Sequence, residues 1–347
     1  MLPTLSNRDC QWIRGGADGD VILSTRVRLA RNIAGYPFLS RASGREVARI
    51  EELMRGKITG ADIAEDLEYY RIDEMGAVER QVLVERHLIG QEHADRHGPG
   101  GVAFTRDETL SIMVNEEDHL RVQIMGPGMD LRRAFERVRE IDQALAEVIP
   151  FAFSAKFGYL TACPTNVGTG LRASVLVHLP ALSMAREMDR IVGLCQDRDL
   201  SLRGLYGEGS QASADLYELS NQVTLGKKEM EIVSGVKSAV QEIAGRERDA
   251  RDLFMEKDHD KLGGRVGRAL ELLQSAGELS VEESLNFLSQ VRLGVECGLL
   301  REVDGELVNR LLLLTLPAHL QTMEGEEIER LERNRLRARY LKDELLN

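Results

Sequence analysis

The sequence predicts an α+β fold followed by an all-helical C-terminal region. Over the first two-thirds of the chain, short runs with strand-like alternation interleave with helical stretches. From about Lys227 onward the alternation disappears and only helical spacing remains. Composition sets the frame: 347 residues with 43% apolar and 29% charged side chains can bury a full core and form two domains.

The elements follow in chain order. Residues 21–32 (VILSTRVRLARN) alternate around Val27 and Leu29, as a strand does. Residues 93–104 (HADRHGPGGVAF) are Gly-rich, carry two histidines and read as a mobile loop. LSIMV (110–114) and LRVQIM (120–125) are β-like and bracket the polar run NEEDHLR. Residues 131–148 read as a helix. In LRASVLVHL (171–179), Ala173, Val175, Val177 and Leu179 share one face, which is strand periodicity. One helical pattern then follows Pro180, with Leu182, Ala185, Met188, Ile191, Val192 and Cys195 three to four apart. Met230, Val233, Val236, Val240 and Ile243 form a helical stripe. Ser280-Val281-Glu282-Glu283 is a capping box, and helices are expected at 281–297, 304–315 and 324–345. A domain boundary is expected near residue 255, in FMEKDHDKLGG, dividing the chain into 1–255 and 256–347.

Charge and composition exclude several classes. A formal net charge of −12 argues against a general binder of nucleic acid or anionic membranes, since both need a basic surface. No apolar run of about 18 residues is present to span a bilayer. The first residues, MLPTLSNRDCQW, lack the basic-then-apolar order of a secretory signal. Cys10, Cys163, Cys195 and Cys297 are far apart and form no CxxC pair, so neither a zinc site nor a disulfide framework is expected. A cytoplasmic protein with reduced thiols and no protein-held metal fits best. The phosphate loop GxxxxGK[ST], GxGxxG, HRD with DFG, HExxH and GxSxG are all missing.

Arginines recur instead on the β-like runs. Side chains two apart on a strand point the same way, so Arg26 and Arg28 project from one face. If the chain stays extended through 112–124, Glu117, His119 and Arg121 share the face opposite Ile112, Val114, Leu120, Val122 and Ile124. Arg172 and Ser174 lie on the polar face of their run, and Arg203 opens RGLYGE, a Gly-punctuated turn. Five arginines from four segments could converge on one anion. Arginine stays charged and binds phosphate oxygens in bidentate fashion, so a triphosphate is the natural ligand for such a set. Any one of these arginines alone reads more readily as a solvated surface group.

STRVRLARN, NEEDHLR, CPTNVGTG, RGLYGE and LYELSNQVTLG, in that order, resemble the successive motifs of the phosphagen (guanidino) kinase catalytic domain, over roughly residues 20–250. The resemblance implies an antiparallel sheet flanked by helices and transfer of a phosphoryl group from Mg-ATP to a guanidinium nitrogen. Small-molecule members carry a helical domain ahead of the first arginine motif, whereas here that motif begins at Ser24 and helices follow the catalytic region. That arrangement, with LVERHLIG at 83–90, is similar to the protein arginine kinase (McsB) family, which phosphorylates arginine side chains in proteins.

By position, the resemblance places STRVR (Ser24, Thr25, Arg26, Val27, Arg28), RASVL (Arg172, Ala173, Ser174, Val175, Leu176) and RGLYGE (Arg203, Gly204, Leu205, Tyr206, Gly207, Glu208) around ATP. Arg121 and His87 are further contacts. Glu117 matches the catalytic carboxylate, Glu208 a second carboxylate that clamps the guanidinium, and Cys163 the family's site cysteine. Glu116 and Asp118 either tune the site or serve structure. The chemistry explains why acids and arginines crowd together. A guanidinium is almost wholly protonated at neutral pH, and freeing its lone pair costs about 7–8 kcal/mol. Carboxylates can align the cation and accept its proton, and the cations offset their repulsion of ATP.

Near the C-terminus, RNRLRA (Arg333, Asn334, Arg335, Leu336, Arg337, Ala338) resembles the family's arginine–aspartate–x–x–arginine–alanine motif, which is associated with regulatory phosphoarginine binding. Asn334 departs from it by losing the charge. Arg333 and Arg337, four apart, share a helix face, which suits either a clamp for the phosphorylated group or a charged solvent face. The resemblance further implies a homodimer, protein substrates with accessible arginines, a heat-shock repressor among them, a small zinc-binding activator protein and a Clp-type chaperone-protease.

Overall fold

The computed structural model describes residues 10–205, 213–324 and 328–346. Ten strands are present among them: β1 (Ile22–Arg31), β2 (Glu68–Arg71), β3 (Gly101–Phe104), β4 (Leu110–Val114), β5 (Leu120–Pro127), β6 (Phe153–Ser154), β7 (Gly158–Tyr159), β8 (Leu171–His178), β9 (Leu200–Gly204) and β10 (Leu216–Asn221). Eight form one sheet in the order β2-β3-β4-β5-β1-β8-β10-β9, with every neighbouring pair antiparallel. β6 and β7 make a separate two-stranded ribbon.

Alternation decides what each face of the sheet does. Val27, Leu29, Val122, Ala173, Val175 and Leu219 point to one face. There they pack with Phe135, Val138 and Ile141 of the helix Leu131–Ala146 and with Val236, Val240 and Ile243 of the helix Glu229–Lys257. The opposite face carries Arg26, Arg28 and Arg172. Toward one end of that polar face the parity continues with Met125, Leu176 and Leu216; Leu23 joins them across the register shift between Ile22 and Ser24, and together with Trp12 and the C-terminal helices they form a second core. The C-terminal region is therefore seated beside the arginines, on their face of the sheet. A third, smaller core under the helix Ala77–Glu85 joins Val82, Leu83 and Leu88 to Ala318 of the helix Pro317–Glu324.

Several expectations are corrected. Residues 93–104 form a loop only over 95–100: His93 is fully buried in the turn Gln91–Ala94, and residues 101–104 form β3. The helical pattern after Pro180 is two helices, Pro180–Met184 and Met188–Gln196, because Arg186 takes a left-handed conformation with φ +59. Arg203 and Gly204 lie within β9 and not in a turn. The charged stretch near residue 255 is helical on both sides of Asp258, running from Glu229–Lys257 into His259–Ser275. Helices Val281–Glu296 and Gly305–Leu314 lie where expected, the former with Ser280 accepting from the Glu283 amide. The last region holds two helices, Pro317–Glu324 and Arg330–Leu346.

Candidate functional site

Sheet register builds the cationic face. Residues directly opposite in an antiparallel pair point the same way. Arg28 of β1 pairs with Arg172 of β8 and with Gln123 of β5, two residues from Arg121. Arg26 pairs with Ser174, Ser174 with Ser220 of β10, and Glu218 of β10 with Arg203 of β9. Five adjacent strands thus align Arg121, Arg26, Arg28, Arg172 and Arg203 on one surface. Arg28 is half-buried, and desolvation depresses its pKa well below the usual guanidinium value, with the like charges of Arg26, Arg121 and Arg172 adding to the effect. Arg172 is depressed by burial and by Arg203, Arg26 and Arg121, with Glu218 opposing. The Nε atoms of Arg28 and Arg172 are buried without a hydrogen-bond partner among the described residues. Cations pressed together with donors to spare make a cradle for a multiply charged anion.

Not every residue of the motifs faces this cradle. Thr25 is buried on the other side, where its hydroxyl donates to Gly128 O at 2.7 Å and accepts from the Asp130 amide at 3.1 Å. Val27, Ala173 and Val175 also point into the helix-covered core. The expected ATP contacts at these four positions therefore have no side chain on the arginine face, a consequence of strand parity. Ser24, Ser174, Leu176 and Leu205 do face it, around Arg26, His87 and Glu218. Tyr206, Gly207 and Glu208 lie outside the described residues, so the expected pairing of Glu117 with Glu208 does too.

His87 sits in a turn after the helix Ala77–Glu85, with φ +58, and not on the helix itself. Its carbonyl accepts from Gln123 Nε2 at 2.8 Å, and its ring meets Trp12 edge-on at 5.2 Å. Burial, helped by Arg26 and Arg28, pushes its pKa down to about 3, so the ring is neutral at pH 7. A cleft of about 680 Å³ opens here, walled by Arg26, Arg28, His87, Leu205 and Glu218 on the sheet side and by Val281, Glu282, Leu285 and Pro317 on the C-terminal side.

The acidic run occupies the turn between β4 and β5. Val114 pairs with Leu120, and the Asn115 amide donates to His119 O at 3.1 Å, so the chain reverses and the extended parity fails. Asn115, at φ +58, anchors the turn through Nδ2 to Val47 O and Pro99 O. His119 is buried away from the arginines: Nδ1 accepts from the Ile33 amide at 3.0 Å while Nε2 lies 2.9 Å from Pro37 O, which fixes the tautomer. Asp118 Oδ1 accepts from Asn32 Nδ2 and from the Ala162 amide, each at 2.6 Å, and so ties the turn to the segment bearing Cys163. Asn115, Asp118 and His119 are scaffold.

Glu117 is the acid left at the surface of this scaffold. Its side chain is 35% exposed, against 4% for Glu116, and it lies 3.1 Å from Arg121 Nη2. Burial raises its pKa, Arg121 opposes, and Asp118, Glu116 and Glu92 add to the rise. Glu116 holds the geometry, accepting from Arg121 Nη1 at 2.8 Å and from the Glu117 amide at 2.7 Å. Behind it Arg96 Nη1 donates to Glu116 O at 2.9 Å. Cys163 is half-buried with Sγ 3.0 Å from Thr165 Oγ1. Sequence reading missed Glu218 and Arg96. Glu218 was legible as an acid at polar parity within LYELSN; Arg96 carried no local signal.

The C-terminal motif gives a second arrangement. Arg337 is fully buried, with Nε donating to Thr315 O at 2.8 Å and Nη1 to Leu279 O and Asn334 Oδ1, both at 2.9 Å. Its Nη2 is buried without a partner among the described residues, beside a cavity of about 320 Å³ lined also by Ser280, Glu282, Pro317, Arg330, Arg333 and Asn334. Arg333 bonds Gln321 Oε1 and Ile328 O. The two arginines of the expected clamp are unequal: Arg337 is mostly committed to carbonyls. Leu336 and Ala338 are buried and Arg335 is exposed, so none of these three lines the cavity.

Comparison with known proteins agrees with this geometry. Residues 49–250 match the ATP:guanido phosphotransferase C-terminal catalytic domain, and residues 259–347 match the protein-arginine kinase McsB C-terminal domain. The chain is 43% identical over 352 residues to a protein-arginine kinase of Halothermothrix orenii, covering 99% of each. It is 40% identical over 340 residues to one of Moorella thermoacetica, covering 97% of each. Among solved structures it is similar to lombricine kinase, with 29% identity, TM-score 0.59 and 69% of each chain covered. The duplicated taurocyamine kinase of Schistosoma mansoni is 30% identical with TM-score 0.61, over 71% of this chain and 35% of that one. Among the described residues no helix is long and apolar enough to cross a membrane.

Proposed function

Because the chain belongs to the protein-arginine kinase family of ATP:guanido phosphotransferases, we propose that it transfers the γ-phosphoryl group of magnesium-ATP to arginine side chains of proteins. The observation that carries this reading is the arginine face, whose two orphaned Nε donors adjoin a turn that presents one exposed acid. Arg26, Arg28, Arg172 and Arg203 would hold the phosphate tail, with Arg121 at its reacting end. His87, neutral, can accept or donate a hydrogen bond without adding charge. Magnesium would come with the phosphates and spread their charge. Glu116 and Glu218 are engaged by arginines, so this donor set suits a metal that the nucleotide already carries.

In the transfer, a guanidinium nitrogen attacks the γ-phosphorus, the bond to the β–γ bridging oxygen breaks, and ADP leaves with that electron pair. The nitrogen's proton passes to Glu117. A phosphoryl group in transit spreads charge over its equatorial oxygens, and fixed guanidinium groups stabilise it without reorganising. Glu208 would hold the other edge of the substrate guanidinium, with Cys163 beside it.

The cavity at Arg337 supports a regulatory phosphoarginine site, with Nη2 of Arg337 and the guanidinium of Arg333 meeting the phosphate. We also assign residues 256–347 to homodimerisation and substrate docking. Marking of proteins, including a heat-shock repressor, for a Clp-type protease, with a zinc-binding activator, completes the reading. The test is incubation with magnesium-ATP and an arginine-rich protein, followed by assay of acid-labile phosphate on arginine. Labelling of free arginine alone would make the protein a small-molecule guanidino kinase; phosphoarginine binding without any turnover would make it an adaptor.

A further inference from the structure

An acid stands in the middle of the phosphate cradle. Glu218 Oε1 accepts from Arg26 Nη2 at 2.7 Å and lies 3.5 Å from Arg28 Nη2. Ser174, whose hydroxyl donates to Arg26 O at 3.3 Å, stands beside the carboxylate and favours its charged form. Burial alone would raise its pKa, but Arg26 and Arg28 outweigh burial and hold it far below the ordinary carboxylate range, so it is ionised. Glu116 and Glu117 engage Arg121 in the same way at the neighbouring end. Glu218, Glu116 and Glu117 therefore hold arginine donors for which a phosphate oxygen would compete.

We propose that Glu218 is an internal anion that occupies Arg26 and Arg28 in the nucleotide-free site and competes with the polyphosphate for them. This rests on the reading that the arginine face takes the nucleotide. Two partly desolvated guanidinium groups on one strand face repel each other, and an unpaired buried charge is costly. Glu218 removes that cost in the free protein and keeps both forks aimed at the cleft. When a phosphate oxygen arrives it supplies the same charge, and the carboxylate must give up at least the Arg26 Nη2 proton. An interaction that stabilises the free state more than the bound state lowers affinity by that difference. Its use would be turnover: a tight cradle of five arginines would otherwise release ADP slowly, and a built-in competitor speeds that release.

The experiment is calorimetric titration of the full chain with inorganic tripolyphosphate and with magnesium-ADP, for wild type, Glu218→Gln and Glu218→Asp. Glu218→Gln should melt at a lower temperature without ligand, bind tripolyphosphate at least about fivefold more tightly and release ADP more slowly in stopped flow. Glu218→Asp keeps the charge but draws it back by one methylene. It should bind more tightly than wild type and less tightly than Glu218→Gln, and it carries the test alone if the Gln variant does not fold. Equal or weaker binding by the variants would make Glu218 a lasting part of the cradle and overturn the inference while leaving the nucleotide site intact. Failure of wild type to bind either ligand would overturn both.

Discussion

Replacing Glu117 by glutamine separates the chemistry of this acid from its packing. A positioned general base contributes about 10²–10⁴ in rate, or roughly 3–5 kcal/mol at 1.36 kcal/mol per tenfold. The fold should scarcely notice the change. Glu117 is one-third exposed with a single ion pair to Arg121 at 3.1 Å, worth about 0–1 kcal/mol, and Arg121 keeps Glu116 at 2.8 Å. The expected outcome is a fall in kcat of about 100-fold or more, with nucleotide affinity and melting temperature nearly unchanged. The assay is phosphorylation of an arginine-rich protein under single-turnover conditions, with nucleotide binding measured separately. Glu117 must be deprotonated to act, and its pKa is raised chiefly by burial. The acid limb of the kcat/KM profile should therefore lie above the ordinary carboxylate range and vanish in the variant. A Glu117→Gln protein that labels within about threefold of wild type, or that keeps the limb, would refute the assignment.

Asp118→Ala removes the shared acceptor of Asn32 and the Ala162 amide; stability should fall by about 1.5–3 kcal/mol and kcat with it, while Asp118→Asn, which can still accept, recovers most of both in melts and turnover. Asn334→Asp restores a charge beside Arg337, 2.9 Å from its Nη1. It should tighten phosphoarginine binding in titration, and Arg333→Ala should weaken it; Arg337→Ala is the poorer test because it strips donors from the buried Thr315 and Leu279 carbonyls. The burial of His87, His93, His119, His178 and His319 holds each pKa below the free value of 6.5, His93 to about 4. A depressed folded value means stability present above the unfolded pKa and lost as pH falls through the folded one. Melting temperature should therefore decline below about pH 6.5, and His93→Gln should flatten that decline.

The residue pattern by itself determined the strands, the polar side of each and the family to which the chain belongs. Alternation in STRVR and RASVL is a property of neighbouring residues, so it already placed Arg26 with Arg28, and Arg172 with Ser174, on the polar side of each strand. The same parity, carried through, would have turned the side chains of Thr25, Val27, Ala173 and Val175 away from the arginine face. The helix His259–Ser275 was obscured because Gly263, Gly264 and Gly267 weaken its local preference; burial of Leu262, Val266, Ala269 and Leu273 against the C-terminal core overrides it.

Only the tertiary structure decided which polar groups act and which hold. NEEDH reads as one crowd of charge, yet Asn115, Asp118 and His119 are spent on Val47, Pro99, Asn32, Ala162, Ile33 and Pro37, partners far away in the chain. Glu218 became part of the arginine face only when β10 docked between β8 and β9. Arg337, read from its spacing as one arm of a clamp, gives most of its donors to carbonyls 22 and 58 residues away. Local sequence sets which way a side chain leaves its own backbone. What it meets there depends on long-range pairing, and that is where burial, charge and reactivity are assigned.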